Sequence, residues 1–459
     1  EKGDPYPLRA VRTGETVRHI NAAELLKKVS EGTHLCGDPG LQFEDTIQAW
    51  HTCKNTGPIN SSNPCVTGDT LVATADGLRR IDTLVDQNPQ IVGLDGELHT
   101  ARRVFETGNK VVYRLRTKSG YTVKLTGNHP VWTENRGDVP AADLTKNDVI
   151  RLIPPRFGSR TLDEDRAEYL GLMLGDGCIS GKIASLTVSR ELERPIAERA
   201  ADVLNTFPRQ THRAGVRVTE RPTSAAVTTA AASVRDFLRK YVILGKGSDG
   251  KCLRTAAFAL DAGTTAAILR GLFTADGTVV DSTDKTQYVG LDSASETLLE
   301  QVQLLLLGFG IKSKLYRNRR LTDRQQLPDG KGGRKEYAVK QVHSLRITRS
   351  SRIAFEHKIG FMDESPKATA LRALNRRVGT YRDRMIEPVA EVEEIGFETV
   401  YDLTEPETRH FVANGVAVHN CSEYMFLDNS ACNLASLNLR KFQNADGSIE
   451  VERLRAAAR

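Results

Sequence analysis

The residues with the clearest chemical potential are Cys65 and, far from it in the chain, the triplet His419-Asn420-Cys421. The carboxamide of Asn420 can attack its own backbone carbonyl and cut the bond to Cys421, and holding both groups together favours such a step by about 7–11 kcal/mol at best. His419 stands beside it with a pKa suited to proton transfer near neutrality. The Cys65 thiol can attack the preceding carbonyl and turn an amide into a thioester.

The setting of these residues matters, because a lone His-Asn-Cys triplet is usually a chance surface turn. Gly68-Asp69-Thr70 follows Cys65, Thr126-Gly127-Asn128-His129 lies in a β-patterned stretch, and the segments 400–404 and 410–420 lead up to the triplet. Four blocks in this order resemble those of an intein, a self-splicing protein insert. The resemblance implies a mostly-β Hint splicing domain that excises residues 65–420.

The first step of splicing, by this resemblance, takes place at Cys65. Its thiol would attack the Pro64 carbonyl in an N-to-S acyl shift. His129 would protonate the departing nitrogen, and Thr126 would hold the geometry. Because the proline ring crowds the carbonyl to be attacked, we expect a slow first step.

The later steps take place at the other end of the insert. Cys421 would take over the thioester with help from Asp402, and Asn420 would then cyclise with help from His419. An S-to-N shift would leave an ordinary peptide bond. Inteins often carry a histidine eleven residues before the final Asn. This chain has Arg409 there and a histidine at the next position, His410, so the substitute stays open at this stage.

Short alternating runs separated by Gly-containing turns indicate strands at residues 65–155, and the pattern returns at 385–420. These two segments are expected to form one β-module that is split in the sequence. A long insert at 156–384 separates them. Such a module would bring Cys65 and Asn420 together.

The insert contains an internal repeat, in which residues 169–177 return as residues 269–277. Each copy carries two small residues four positions apart, so two helices could pack with their backbones close together. Each copy also ends in Asp-Gly. The pattern therefore predicts a helix pair that places Asp176 beside Asp276.

This repeat resembles the LAGLIDADG homing endonucleases in their two-motif, single-chain form. The resemblance implies an α/β domain of two pseudo-symmetric αββαββ halves, with Asp176 and Asp276 as ligands of Mg²⁺. Lys251 matches loosely a lysine that the family uses near the cut, although Arg254 stands where a proline is usual.

The expected partner of this domain is double-stranded DNA, specifically an allele of the host gene without the insert. The formal net charge of the chain is +6, and its excess of Lys and Arg lies in residues 156–384, whereas the rest of the chain is acidic. This asymmetry favours nucleic-acid contact by the insert alone. Candidate phosphate and base contacts are Arg317, Arg319 and Arg320.

The seven cysteines show no Cys-x-x-Cys pair and no zinc spacing. Their odd number and the absence of a signal-peptide pattern favour a reducing cytoplasm. No apolar run approaches the ~20 residues of a membrane span. Because the chain starts at Glu1 rather than Met, we expect a fragment.

Joining Pro64 to Cys421 gives Asn63-Pro64-Cys421-Ser422-Glu423, followed by Ala431-Cys432-Asn433. With this junction, the joined flanks 1–64 and 421–459 resemble the active-site core of an adenosylcobalamin-dependent (class II) ribonucleotide reductase. By that resemblance Cys421 would carry the thiyl radical. Asn63 and Glu423 would bind the ribose and move protons, and Cys432 would be one of the two reducing cysteines. The flanks are too short for a reductase barrel. We therefore expect adenosylcobalamin and the ribonucleotide substrate to belong only to the complete spliced host.

Three other interpretations stay open from the sequence. The chain could be a reductase subunit with an inert middle, which predicts one stable full-length chain. It could be a hedgehog-like cleavage module, which would not need both Asn420 and Cys421. It could also be a reductase fragment whose insert splices but has lost its nuclease activity; the presence of both Asp176 and Asp276 argues against that reading.

Overall fold

The computed structural model describes residues 5–9, 16–36, 65–208, 215–244, 247–282, 286–320, 322, 324–328, 334–379, 381–420, 442–444 and 448–458. The chain divides into two compact units, Glu1–Ser61 with Glu423–Arg459, and Ser62–Ser422. Among the helices within these described ranges, none is both long and apolar enough to cross a lipid bilayer.

The first unit begins with a hairpin and a helix. Strands β1 (Pro5–Arg9) and β2 (Thr16–Asn21) pair antiparallel, and helix α1 (Ala22–Cys36) follows. The side-chain oxygen of Asn21 caps α1 by accepting the backbone N–H groups of Ala23 at 2.9 Å and Glu24 at 3.2 Å. A second helix of this unit spans Val451–Ala458.

The second unit begins with short strands that alternate between buried and partly exposed residues. In order they are β3 (Val66–Thr67), β4 (Leu71–Thr74), β5 (Gly77–Arg80), β6 (Gln90–Val92), β7 (Leu98–Thr100), β8 (Arg103–Thr117), β9 (Thr122–Thr126), β10 (Pro130–Thr133), β11 (Gly137–Pro140) and β12 (Val149–Arg151). On β9 the alternation buries Val123 and Leu125 in the core, as expected for a sheet with one covered face.

The middle of the chain folds as two similar halves. The first half contains α2 (Glu164–Gly175), β13 (Gly177–Ser180), β14 (Ile183–Ser189), α3 (Arg190–Asn205), β15 (Val218–Glu220), β16 (Ser224–Thr229) and α4 (Ala232–Tyr241). Its strands form a sheet in the order β13-β14-β16-β15. A short pair, β17 (Val242–Ile243) and β18 (Cys252–Leu253), leads to the second half.

The second half repeats this arrangement with α5 (Ala262–Asp276), β19 (Gly277–Ser282), β20 (Thr286–Ser293), α6 (Glu296–Gly308), β21 (Ser313–Tyr316), β22 (Arg324–Pro328), β23 (Arg334–Ala338), β24 (His343–Ile347), α7 (Arg349–Lys358) and α8 (Pro366–Arg377). Its main sheet has the order β19-β20-β24-β21. An aspartate caps each repeated helix: Asp163 accepts from the N–H of Arg166 at 3.1 Å, and Asp261 from that of Thr264 at 2.9 Å.

The chain returns to the first sheet with β25 (Ile386–Thr404), β26 (His410–Ala413) and β27 (Val416–His419). The completed 13-stranded sheet follows the order β3-β9-β8-β25-β12-β10-β27-β26-β4-β6-β7, with β5 on β4 and β11 on β10. Strands from before and after the insert therefore alternate in one sheet. This confirms the predicted split β-module with a nested α/β domain.

Direct contacts join the insert to this sheet within the second unit. Gln303 of α6 and the backbone N–H of Leu315 each donate to the carbonyl oxygen of Ser119 at 2.9 Å. Lys312 pairs with the buried carboxylate of Glu387 at 2.6 Å. Because the division of the chain keeps both parts in one unit, the limits 65–155, 156–384 and 385–420 stay predictions.

Candidate functional site

Cys65 lies fully buried at the start of β3, where the next residue, Val66, pairs with Leu125 of β9 and Tyr401 of β25. The backbone N–H of Cys65 donates to Oγ1 of Thr126 at 3.1 Å. In return, the N–H of Thr126 donates to the carbonyl oxygen of Cys65 at 2.9 Å. Two reciprocal bonds thus hold Thr126 against the amide nitrogen at which the predicted acyl shift begins.

His129 connects this end of the insert with the other. Its Nε2 lies 2.8 Å from the carbonyl oxygen of His419, and because a carbonyl only accepts, Nε2 carries the hydrogen. Burial lowers the pKa of His129 to about 3, although contacts with the backbone of Cys65 and His419 oppose that shift. Among the described residues Nδ1 has no partner. The imidazole is therefore neutral, with a bare nitrogen near Cys65.

The Cys65 sulfur contacts two side chains of β8 that the sequence did not single out. Sγ lies 2.8 Å from Oγ1 of Thr107 and accepts a hydrogen bond from Nζ of Lys110 at 3.3 Å. The Thr107 hydroxyl donates to the carbonyl oxygen of Val400 at 3.1 Å. Both residues lie more than forty positions from Cys65 in an ordinary strand pattern, so no local motif marks them.

Asp402 is fully buried near the same sulfur. One of its oxygens accepts the backbone N–H of Leu403 at 2.7 Å. Burial raises the pKa of the Cys65 thiol, and the negative charge of Asp402 raises it further, while Thr107 and Lys110 oppose the shift. The thiol is therefore protonated at neutral pH, and its activation requires proton removal.

Asn420 is buried at the end of β27, where several contacts hold it. Its N–H donates to the carbonyl oxygen of Arg409 at 2.9 Å, and its carboxamide nitrogen donates to the carbonyl oxygen of Glu405. Nδ1 of His419 lies 2.7 Å from the carbonyl oxygen of Asn420 and must carry the hydrogen of that bond. The carbonyl that cyclisation would attack is thus polarised by the preceding residue.

Arg409 and His410 differ in their positions. Arg409 is exposed and has a positive φ of 60°, whereas His410 is 5% exposed and pairs across the strands with His419. The two imidazole rings lie 5.0 Å apart. Burial alone would lower the pKa of His410, but the 2.9 Å contact with Asp138 outweighs it and raises the pKa. His410 therefore occupies the place beside His419.

Four predicted site residues lie outside the described residues. They are Cys421, which receives the thioester in the predicted reaction, and the predicted reductase residues Asn63, Glu423 and Cys432. The structure positions the other six residues in one region of the sheet: Cys65, Thr126, His129, Asp402, His419 and Asn420. The roles of all ten residues stay predictions.

In the nested domain, helices α2 and α5 pack backbone to backbone. A Cβ added to Gly171 would lie 2.0 Å from the carbonyl oxygen of Ile268, and one added to Gly271 would lie 2.1 Å from that of Glu168. No side chain larger than hydrogen fits at either crossing point. The small residues in the sequence repeat are therefore the contact surface of the helix pair, as predicted.

This packing brings Asp176 and Asp276 together where the two helices end. A Cβ on Gly175, next to Asp176, would lie 3.4 Å from a carboxylate oxygen of Asp276. Burial raises the pKa of Asp276 to about 6, and the charge of Asp176 adds to this effect. The pKa of Asp176 is also raised, by burial and then by Glu193. The exposed Asp176 and the partly buried Asp276 thus repel each other at the helix ends.

Two lysines bind the helix ends in matching positions. Nζ of Lys251 donates to the carbonyl oxygen of Gly175, directly before Asp176. Nζ of Lys367 donates to the carbonyl oxygen of Ala275 at 3.0 Å, directly before Asp276. The sequence indicated Lys251 but not Lys367, because Lys367 lies in α8 and carries no motif.

The donor set fits a divalent cation that takes part of its shell from a substrate. No cluster of three or more His, Cys, Asp or Glu side chains is arranged to hold a metal in the described part of the chain. Asp176 and Asp276 provide carboxylate oxygens, which Mg²⁺ prefers, and Mg²⁺ commonly completes its shell with water and phosphate. A cation between them would offset the burial and the nearby negative charges that raise both pKa values.

The predicted DNA contact at Arg317 is wrong. Its guanidinium is bound to Glu296 and, at 2.6 Å, to Glu300, and only 14% of the side chain is exposed. Instead, a basic and aromatic cluster lies on the second sheet. There the Arg346 guanidinium lies 4.4 Å from the ring centre of Tyr288 and 4.7 Å from that of Tyr316.

Comparison with known proteins finds relatives for different parts of the chain. Residues 263–360, which span most of the second half of the insert, match the model of the LAGLIDADG-like domain. The chain is 26% identical over 481 residues to ribonucleoside-diphosphate reductase NrdEB subunit alpha of Bacillus subtilis, a match covering 91% of this chain and 43% of the relative. The chain thus spans less than half the length of the curated relatives it matches first. These matches confirm the predicted similarity to the LAGLIDADG family and to the ribonucleotide reductases.

Other relatives match smaller parts. Vitamin B12-dependent ribonucleotide reductase of Streptomyces clavuligerus is 46% identical over 65 residues, 14% of this chain and 7% of that protein. Among solved structures, a DnaB intein from Synechocystis is 12% identical and covers 78% of this chain and 99% of its own, with a TM-score of 0.26. I-DmoI in complex with DNA and Ca is 18% identical and covers 46% and 97%, with a TM-score of 0.29.

Proposed function

We propose that residues 65–420 excise themselves by protein splicing and join the two flanks, and that the nested domain is a site-specific DNA endonuclease. One observation carries the first part: the His129 side chain bonds to the carbonyl of His419, while its backbone N–H bonds to Thr126, the residue that holds the amide nitrogen of Cys65. Residues separated by most of the chain thereby share one buried site. Such positioning is what an exchange of two peptide bonds requires.

The first step begins with the Cys65 thiol, which is buried and protonated. The neutral Nδ1 of His129 takes up a proton and then delivers it to the departing nitrogen of Cys65. His129 thus acts as a base before it acts as the acid that the sequence predicts. Thr126 holds that nitrogen through the 3.1 Å bond, so the scissile amide cannot rotate away. The sulfur forms a bond to the Pro64 carbonyl carbon as the carbon–nitrogen bond breaks.

The second step transfers the upstream segment to Cys421, with Asp402 removing the proton of that thiol. The carboxamide nitrogen of Asn420, which the Glu405 carbonyl holds in place, then bonds to the Asn420 carbonyl carbon as the bond from that carbon to the Cys421 nitrogen breaks. The carboxamide nitrogen loses a proton, and the departing amine gains one. The Nδ1–H of His419 stabilises the negative charge that develops on the carbonyl oxygen. An S-to-N acyl shift then moves the upstream segment from the Cys421 sulfur to the Cys421 nitrogen, so that a peptide bond joins the two flanks.

In the endonuclease, Asp176 and Asp276 would hold Mg²⁺, which when bound activates water and stabilises the leaving oxygen in phosphodiester hydrolysis. Lys251 and Lys367 fix the backbone directly before each aspartate. Their ammonium groups also bring positive charge to the place that the scissile phosphate would occupy. The expected DNA is the double-stranded host gene without the insert, and Arg346 with its tyrosine neighbours is the contact surface that best replaces Arg317.

The joined flanks would belong to a cytoplasmic, adenosylcobalamin-dependent ribonucleotide reductase. In that complete enzyme Cys421 would carry the radical, Asn63 and Glu423 would bind the ribose, and Cys432 would act as a reductant. This chain covers 43% of the Bacillus subtilis reductase subunit, so we expect the reaction only of the complete spliced host.

Two assays test the proposal separately. For splicing, hydroxylamine or dithiothreitol added to the purified Asn420→Ala chain should release the segment before Cys65, and the Cys65→Ala change in the same chain should abolish the release. For the nuclease, a plasmid carrying the joined host sequence should be linearised with Mg²⁺ but not with a chelator. Failure of either assay would reject that half of the proposal.

A further inference from the structure

Two side chains of β8 contact the Cys65 sulfur although their spacing should keep them apart. Thr107 and Lys110 are three residues apart, and in a regular strand such residues point to opposite faces. Nevertheless, Oγ1 of Thr107 lies 2.8 Å and Nζ of Lys110 lies 3.3 Å from Sγ. The strand must therefore depart from regular geometry between them.

A β-bulge provides this departure. Val400 of β25 pairs with Gly108, whereas the next residue, Tyr401, pairs with Glu106, so Thr107 is an extra residue in β8. Gly108 has a φ of 91°, a conformation that other residues rarely adopt, and a Cβ there would meet nothing within 4 Å. Glycine is thus needed here for its backbone conformation and not because a side chain would clash with a neighbour. Bulges of this kind redirect side chains beside active sites.

The two contacts involve different parts of the thiol group, its hydrogen and a lone pair of its sulfur. The Thr107 hydroxyl gives its own hydrogen to the carbonyl of Val400 at 3.1 Å, so its lone pair is left to accept the S–H of Cys65. Lys110 donates in the opposite sense, to a lone pair of the sulfur. Thr107 therefore orients the resting thiol, while the ammonium of Lys110 faces the charge that appears when the proton leaves.

We propose that Lys110 is a catalytic residue of the first splicing step, in which its ammonium stabilises the Cys65 thiolate. This inference rests on the splicing function proposed above. Burial and the charge of Asp402 both disfavour a thiolate, so a buried nucleophile here needs a nearby cation. The step is balanced: the sulfur loses its proton and bonds to the Pro64 carbonyl carbon, the bond from that carbon to the Cys65 nitrogen breaks, and the nitrogen gains the proton. Lys110 remains protonated throughout.

The test measures the pH profile of dithiothreitol-induced release of the upstream segment in the Asn420→Ala chain. Lys110→Met should slow the release by about tenfold or more at neutral pH and move the profile to higher pH. Lys110→Arg, which keeps the charge, should retain most of the rate. Lys118→Met, a change at an exposed lysine just after β8, serves as the matched control and should leave the profile unchanged.

A second pair of variants tests the bulge. Gly108→Ala should slow the release, because the strained alanine moves Lys110 away from the sulfur. Gly396→Ala, at another positive-φ glycine with open space in β25, imposes a similar strain elsewhere and should not slow it. Cleavage at Asn420, measured in the Cys65→Ala chain, reports whether each variant is folded.

The outcomes separate this inference from the splicing proposal. If the parent releases the segment but Lys110→Met has the parent's profile, or Lys110→Arg is as slow as Lys110→Met, the role of Lys110 is overturned while splicing stands. If the parent with Asn420→Ala releases nothing under thiol, the splicing proposal fails and this inference fails with it.

Discussion

Nε2 of His129 donates a 2.8 Å hydrogen bond to the carbonyl oxygen of His419, which belongs to the peptide bond that precedes Asn420. The backbone N–H of the same residue donates to the carbonyl oxygen of Thr126 at 3.0 Å, and Thr126 in turn bonds to the backbone of Cys65, where the first peptide bond would break. His129 therefore links the two ends of the insert. This arrangement couples the two cleavage sites, and it makes His129 the residue whose loss should affect both.

Replacing His129 with alanine should reduce thioester formation at Cys65 by about 10²–10⁴-fold, because general acid–base catalysis of this step would be lost. Cleavage after Asn420 should also slow, since His419 would lose the bond that fixes its backbone. Gel and mass analysis of purified chains would measure both rates. His357→Ala, at an exposed histidine of α7, is the matched control, and equal rates in the two variants would contradict the role of His129.

The pair of His410 and Asp138 should stabilise the fold in a pH-dependent way. The pKa of His410 is raised in the folded chain, so the contribution is fully present below the unfolded pKa of His and is lost as pH rises through the folded value. Asp138→Asn should therefore cost about 1 kcal/mol in the free energy of unfolding near pH 6 and much less near pH 9. Urea unfolding at both pH values would measure this, and an equal loss at both would contradict it.

The crossing of α2 and α5 should tolerate no Cβ at Gly271. Gly271→Ala places a methyl group 2.1 Å from the carbonyl oxygen of Glu168, and we expect a loss of about 1–3 kcal/mol in the free energy of unfolding. Gly263→Ala, in the first turn of the same helix, meets its nearest atom at 3.8 Å and should stabilise by about 0.4–1 kcal/mol. Thermal unfolding compares the two. Similar midpoints for both variants would show that the helices do not pack as described.

Asp176→Asn and Asp276→Asn should each lower plasmid cleavage by at least about 10²–10³-fold while leaving DNA binding intact. The paired carboxylates are expected to hold the metal and not to contact base edges. Asp202→Asn, at an exposed position of α3, is the control. Cleavage by either active-site variant at the rate of the parent would remove these aspartates from the mechanism.

The sequence predicted the architecture well where local pattern decides structure. The split β-module follows from alternating strands and glycine turns, and the joining of 65–155 with 385–420 follows from the blocks at both ends. The helix pair follows from small residues repeated at the same spacing, whose packing the contacts of Gly171 and Gly271 explain.

Residues that act through tertiary placement could not be predicted in the same way. Lys110 faces Cys65 only because a bulge at Gly108 changes the register of β8, and no spacing in the sequence reveals that shift. Lys367 reaches Ala275 from a helix that follows the second sheet. Arg317 lies in a basic run that predicted a contact with DNA, but its guanidinium pairs with Glu296 and Glu300 of α6.

The most direct test of splicing is the intact mass of the products formed by the purified chain, alongside chains carrying Cys65→Ala, Asn420→Ala or both. The parent should yield the excised segment 65–420 and the joined flanks, whereas the double variant should remain one full-length chain. Each single variant should be cut at one end only. A parent that stays whole, or a double variant that gives the same products as the parent, would contradict the account.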